Sequence, residues 1–322
     1  MQNSILWELA EITAIFSLCT LLSHFWVRHA IGWKKALGCI TACAGVLSLP
    51  LLLPSNYTGT RMAVACFSLL TTLRFLETAY HKYPDPKLQS SLLTYIKYLM
   101  AVSDVYAPKS GKERAKNRRL GYKRMGRGLL KQIPTLMLFS LSTAYPLIHD
   151  VIFIHLPWVL LVSYFCVTGF LDIGSGFGMA RDGYKTMEIF NNSLFATSPR
   201  DFWSRRWNLT FRNSMHRLIF VPLNGAKNPA LAVTSIFACS AILHEYIVIA
   251  AIGYTKGHMT IFFILHGVAT MAQGVMLHKR SNRPLFPKPV AIALHNIWFI
   301  GTSYWFFTPF LTAVPFGSWR LW

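Results

Sequence analysis

The chain has 322 residues, 53% of them hydrophobic and only 14% charged, with 32 Lys and Arg against 12 Asp and Glu. Ordinary soluble domains carry roughly 25% charged residues, so a mean hydropathy of +0.38 argues against two soluble domains and for one bundle of spanning helices. The net charge of +20 lies in short stretches between apolar segments, which points to membrane topology and a lipid surface rather than to nucleic acid.

A spanning helix needs roughly 20 mostly apolar residues. In chain order such segments are 5–27, 36–53, 62–80, 129–148, 151–175, 230–254, 259–277 and 289–311. The first contains Glu8 and Glu11 and has no basic stretch before it, so it reads as a retained helix and not as a cleaved signal. Segment 62–80 carries Arg74 and Glu77, and it can span only if both charges face protein or an interface. Residues 106–128 read as a basic, glycine-punctuated surface segment, suited to anionic lipid or to drawing in an anionic cofactor.

Loops rich in Lys and Arg alternate with loops that have few or none: 54–60, the link near Asp150 and 255–258 are the poor ones, while 81–128, 181–229 and 278–288, with Arg280 and Arg283, are the rich ones. The positive-inside rule then places the basic loops in the cytoplasm and both termini on the far side. Cys19, Cys39, Cys43, Cys66, Cys166 and Cys239 all sit in apolar stretches, and no His or second Cys pair completes a metal site, so no metal is expected. The expected fold is an all-α integral membrane protein, a single multi-pass domain over 1–322 with about eight transmembrane helices, and a long cytoplasmic loop that carries an amphipathic helix.

Two places hold polar chemistry. Ser198-Pro199-Arg200-Asp201 is a helix-start sequence, and it leads into Phe202-Trp203-Ser204-Arg205-Arg206-Trp207-Asn208 and then Leu209-Thr210-Phe211-Arg212. The aromatics at 202, 203, 207 and 211 predict one amphipathic helix at the membrane interface, and an anchoring role is the plain reading of it. The second place is Leu243-His244-Glu245-Tyr246, in the middle of segment 230–254. A His-Glu pair at that depth marks a functional site or a polar cavity, and His suits proton transfer near neutral pH. A structural histidine bonded to another helix is the alternative, and His266 and His295 fit that description.

Residues 198–212 resemble the S-x-x-[DE]-F-W-x-R-R-W-N signature of the wax synthases, a branch of the membrane-bound O-acyltransferase superfamily. A more distant form of it, F-Y-x-D-W-W-N, belongs to the sterol and diacylglycerol acyltransferases. Leu243–Tyr246 is similar to the segment holding that superfamily's catalytic histidine, and His244 lies 36 residues after Asn208. The resemblance covers about 150–311. Relative to the sterol-acyltransferase form, Trp203 stands for Tyr, Arg205 for Asp and Arg206 for Trp, which puts the chain on the wax-synthase side and speaks against cholesterol or diacylglycerol as substrates.

The resemblance implies an acyl-CoA:alcohol O-acyltransferase in the endoplasmic reticulum membrane. Its general base would be His244, and Asn208 would orient substrate or donate to the thioester oxygen. Glu245 and Trp207 would give support. Arg205, Arg206, Arg212 and Arg217, all in a predicted cytoplasmic loop, would bind the coenzyme A phosphates. The co-substrate would be acyl-CoA, with acetyl-CoA favoured, and the acceptor a hydrophobic alcohol, either a terpenoid or sterol-like metabolite or a fatty alcohol. A wax ester synthase using long-chain acyl-CoA is the alternative. A multi-pass lipid transporter would need paired repeats and broken helices in both halves, and Gly174, Gly176 and Gly178 loosen one segment only. An intramembrane prenyltransferase would need clustered aspartates, and Asp172 and Asp182 do not form such a cluster.

Overall fold

A computed structural model describes residues 2–145, 148, 151–279 and 286–313. The expected link near Asp150 and the loop residues Arg280 and Arg283 lie outside the described residues. The chain is built of helices, α1 (Gln2–Leu21), α2 (Gly32–Ser48), α3 (Thr58–Ala79), α4 (Leu92–Leu99), α5 (Gly111–Ala144), α6 (Ile152–Asp182), α7 (Leu209–Met215), α8 (Pro229–Ile252), α9 (His258–Lys279) and α10 (Lys288–Ala313). Among the described residues six stretches are long and apolar enough to cross a membrane: Ala10–Val27, Gly32–Leu52, Thr58–Ala79, Ile152–Asp182, Pro229–Ile252 and Lys288–Ala313. Of the two other expected spans, residues 129–144 form the second half of α5 and 259–277 lie in α9, and neither helix is among these six.

The first three helices and α4 share a core of Cys19, Ala42, Val46, Leu49, Phe75, Leu88, Tyr95, Tyr98 and Leu99. α4 is short but well started, because Ser91 accepts from the Thr94 amide at 3.3 Å and the Thr94 hydroxyl accepts from the Ser91 amide at 3.1 Å. Its buried residues Tyr95, Tyr98 and Leu99 fall on one helical face. After it, Val105–Tyr106 (β1) pairs antiparallel with Lys185–Thr186 (β2), which ties the N-terminal half to the segment that leads into the signature.

Residues 106–128 present an exposed basic face, with Lys112, Arg114, Lys116, Arg118, Arg119 and Lys123 exposed, but they are not a separate segment. From Gly111 they are the first half of a continuous helix, and that helix is one arm of a tight hairpin. A Cβ on Gly121 would lie 2.7 Å from the Gly176 carbonyl oxygen, and one on Gly128 would lie 2.6 Å from that of Gly169. The α5 and α6 backbones touch there, which only glycine permits. Gly176 therefore packs a helix instead of loosening it. One further clamp holds the pair: Arg127 Nη2 donates to Asp172 Oδ1 at 2.7 Å, and Lys131 Nζ donates to Asp172 Oδ2 at 2.7 Å.

Arg74 and Glu77 meet the condition set for a span at 62–80, since both side chains are fully buried against protein. Arg74 donates to Glu77 at 3.1 Å and to Asp104 at 3.0 Å. The opposite side of both carboxylates is held by Arg217, with Nη1 at 3.0 Å from Asp104 Oδ2 and Nη2 at 2.5 Å from Glu77 Oε1. Ser214 adds a bond to Glu77 at 2.7 Å, and the Tyr98 hydroxyl another. Two positive and two negative charges so close on one another join α3, the residue just before β1 and the turn after α7.

Candidate active site

The signature is a turn, a break and a helix. Ser198 accepts from the Asp201 amide at 3.0 Å, with Pro199 at the first helical position. Asp201 then receives the Thr197 amide at 3.1 Å and Arg206 Nε at 2.6 Å. Residues Phe202–Arg206 wind as a π-turn, in which the Trp207 amide reaches back five residues to the Phe202 carbonyl at 2.9 Å. Trp207 is extended, and Asn208 is left-handed at φ 40° and ψ 61°.

The single amphipathic helix expected over 198–212 is thus broken at 207–208. Asn tolerates the left-handed region better than most residues, and here its Oδ1 also caps α7 by accepting from the Phe211 amide at 3.2 Å. The π-winding replaces the i, i+4 aromatic face by an i, i+5 stack. Phe202 and Trp207 lie nearly parallel, with ring centroids 5.4 Å apart, and Phe190 packs on Trp207 at 4.8 Å.

The four arginines divide into two pairs. Arg206 is engaged by Asp201 and by the carbonyls of Asn191 and Asn192, at 3.4 and 3.2 Å, and so braces the loop before the signature. Arg217 is held by Glu77 and Asp104. Burial pushes the Asp104 carboxyl up, but the bonds from Arg217 and the charges of Arg74 and Arg217 outweigh it and hold the group below its ordinary value. Arg205 and Arg212 are exposed, and among the described residues their side chains make no ion pair.

His244 sits in mid-α8, half-buried, with its ring 4.5 Å from Phe263 and 5.9 Å from Phe306. Its Nδ1 lies 2.8 Å from the Ser240 carbonyl one turn back. A carbonyl oxygen only accepts, so Nδ1 carries the proton and Nε2 keeps its lone pair. Glu245 plays no part in this. It accepts from the Thr260 amide at 2.8 Å, the Thr260 hydroxyl at 3.0 Å and the Thr255 hydroxyl, and so caps the start of α9 across the turn at Gly253 and Gly257. Tyr246 binds α8 to α2 by donating to the Leu47 carbonyl at 2.6 Å.

Among the described residues no hydrogen bond joins Asn208 to His244; the two sides of the site meet through Trp203. Its ring touches Phe262 and Phe263, the second of which also walls His244, and its indole nitrogen donates to His266 at 3.1 Å. Sequence reasoning left out Phe263, Phe306 and the role of Trp203, because each lies far along the chain from its partner. The Ser240 carbonyl was within reach of helical periodicity, as it is one turn before His244.

Residues 186–265 match the profile of the membrane bound O-acyl transferase family. Among known proteins the chain is 29% identical over 139 residues to "Probable long-chain-alcohol O-fatty-acyltransferase 7" of Arabidopsis thaliana, covering 40% of this chain and 41% of that one. It is also 29% identical over 129 residues to "Acyl-CoA--sterol O-acyltransferase 1" of Arabidopsis thaliana, covering 37% of each. A longer match, 23% identical over 294 residues, joins 86% of this chain to 81% of "Probable long-chain-alcohol O-fatty-acyltransferase 8" of the same plant. The matched stretch thus spans about two fifths of the length of the first two relatives. The signature, its distance from His244 and these likenesses together make residues 186–265 similar to the membrane-bound O-acyltransferase family, and most similar in pattern to its wax synthase-like branch.

Proposed function

We propose that this protein transfers an acyl group from acyl-CoA to the hydroxyl of a lipophilic alcohol. The observation that carries the reading is His244, a histidine in the middle of an apolar helix with Nδ1 bonded to the Ser240 carbonyl and Nε2 left as a base. The alcohol proton passes to Nε2 while the alcohol oxygen attacks the thioester carbonyl carbon. The tetrahedral oxyanion collapses, the C–S bond breaks, and the leaving thiolate takes the proton back from Nε2. The products are an ester and free coenzyme A. The aromatic wall of Phe263 and Phe306 keeps water from the thioester.

Asn208 supports the oxyanion through its amide NH₂, since its Oδ1 is already engaged in capping α7. Asn208→Asp keeps the capping oxygen and removes the donor. Its expected result is a kcat lower by about 10²-fold with unchanged thermal stability. Activity above half of wild type would show that the amide does not act in the reaction.

Of the four arginines in and after the signature, Arg205 and Arg212 are the two left free to meet the coenzyme A phosphates. Replacing both with Gln is expected to raise KM for acyl-CoA about tenfold, the loss of roughly one charged hydrogen bond, with kcat unchanged. An unaltered KM in a steady-state assay would remove them from the binding site.

The acyl group and acceptor are proposals of finer grain. No residue reads the acyl length; the family resemblance inclines to acetyl transfer onto a terpenoid or sterol-like alcohol, in secondary metabolism, whereas the relatives' names speak of fatty acyl groups, long-chain alcohols and sterols. Membranes containing the protein, fed labelled acetyl-CoA and palmitoyl-CoA with fatty and polycyclic alcohols, test the function and choose between them. No labelled ester with any pairing would overturn the reading. We also place the enzyme in the endoplasmic reticulum, and colocalisation of a tagged chain with a resident marker checks that placement.

A further inference from the structure

We propose that Trp203 and His266 are positioning residues for His244, joined in a hydrogen-bonded relay that sets how α9 is rotated against α8. This rests on the acyl-transfer reading above. Trp203 is the second aromatic of the signature, and His266 is a fully buried residue of α9.

The polarity of the relay follows from its donors. An indole nitrogen only donates, so Trp203 Nε1 gives its proton to His266 Nδ1 at 3.1 Å. The proton of neutral His266 is then on Nε2, which donates to Thr302 Oγ1 on α10 at 2.9 Å. Thr302 passes its own proton to the Trp298 carbonyl at 2.9 Å. Every side-chain polar atom of this relay is satisfied, and three separate elements are joined: the signature turn, α9 and α10.

Both nitrogens of His266 are committed in this way, so His266 has no lone pair to offer a substrate. Its effect reaches His244 through its own helix. Phe263 lies three residues before His266 and forms the near wall of His244, with ring centroids 4.5 Å apart. The Trp203 ring stands 5.8 Å from Phe263 and 5.5 Å from His266, so it presses on the same surface that its N–H holds in register. Rotating α9 would move Phe263 and with it the imidazole it supports. Reacting atoms displaced by about 1 Å lose on the order of 10²-fold in rate.

The test uses the full-length protein in detergent, with kcat and KM for acyl-CoA measured per folded molecule by fluorescence-detected size exclusion. Trp203→Phe keeps a ring and deletes the donor. Its expected result is a kcat lower by at least about tenfold, with KM within twofold of wild type. The double variant Trp203→Phe/His266→Phe removes the orphaned acceptor as well, so thermal stability should recover while kcat stays low. A kcat in Trp203→Phe above half of wild type overturns the proposal. So does a double variant that regains kcat along with stability, because the relay would then serve stability alone. If the wild type itself transfers no acyl group, the functional reading fails and the positioning role falls with it.

Discussion

Replacing His244 with alanine should lower kcat by about two to four orders of magnitude, the range general base catalysis supplies, while the protein reaches normal abundance in the membrane. The imidazole is half-buried and, among the described residues, its one hydrogen bond is to a carbonyl of its own helix, so its removal leaves none of their side chains without a partner. Alanine also favours the helix. The packing lost is one edge of the Phe263 and Phe306 wall. The assay is acyl transfer by membranes from cells that express either form, normalised to protein by immunoblot. Near wild-type turnover in the variant would remove His244 from the chemistry and take with it the observation on which the proposed function rests.

A second large effect is expected far from that histidine. Glu77→Ala should destabilise the protein by about 3–5 kcal/mol, the usual result of removing one member of a buried ion network. Glu77 receives Arg74, Arg217, Ser214 and the Tyr98 hydroxyl, and its side chain is fully buried. Without it, Arg74 and Arg217 share Asp104 alone and one positive charge stays uncompensated inside the protein. Arg217 lies in the turn after α7, so the loss would loosen the signature as well as α3. Thermal unfolding in detergent checks this, and a midpoint within a degree of wild type would show that the network does not hold the two halves together. Acid should act in the same direction. Asp104 is held below its ordinary value, so its stabilising contribution is complete above the ordinary carboxylate range and is lost as pH falls through its lowered folded value.

The site and the fold differ in how far they could be read along the chain. A span is a local property, set by length and apolar content, and the segment at 62–80 came with a stated condition that the paired burial of Arg74 and Glu77 satisfies. The segment at 106–128 was harder. Its lysines and arginines suggest a solvated surface, yet the face that matters holds Gly121, Arg124 and Gly128, which lie against α6. Nothing near them in the chain reveals a helix 50 residues on. The signature shows the opposite error. Its aromatics have helical spacing, but a π-turn and a left-handed Asn208 redirect them into a stack.

The arginines make the same point in charge. Sequence places four of them beside a polyanionic cofactor, whereas the structure leaves Arg205 and Arg212 open and closes Arg206 and Arg217 on carboxylates. Glu245, adjacent to His244, turns out to serve the next helix, since neighbours on a helix point in different directions.

The amino-acid sequence by itself determined the membrane character, the order of apolar segments, and the pairing of an Asn in an arginine-rich signature with a His in mid-helix. Those are properties of composition and spacing. Only the tertiary structure decided which charges neutralise each other, and that Trp203 links the signature to the histidine's aromatic wall. The pairing of Arg74 with Asp104 and of Arg217 with Glu77, and the Trp203 link, rest on contacts between residues from 30 to 140 positions apart, and such contacts exist only once packed helices bring the partners within a few ångströms.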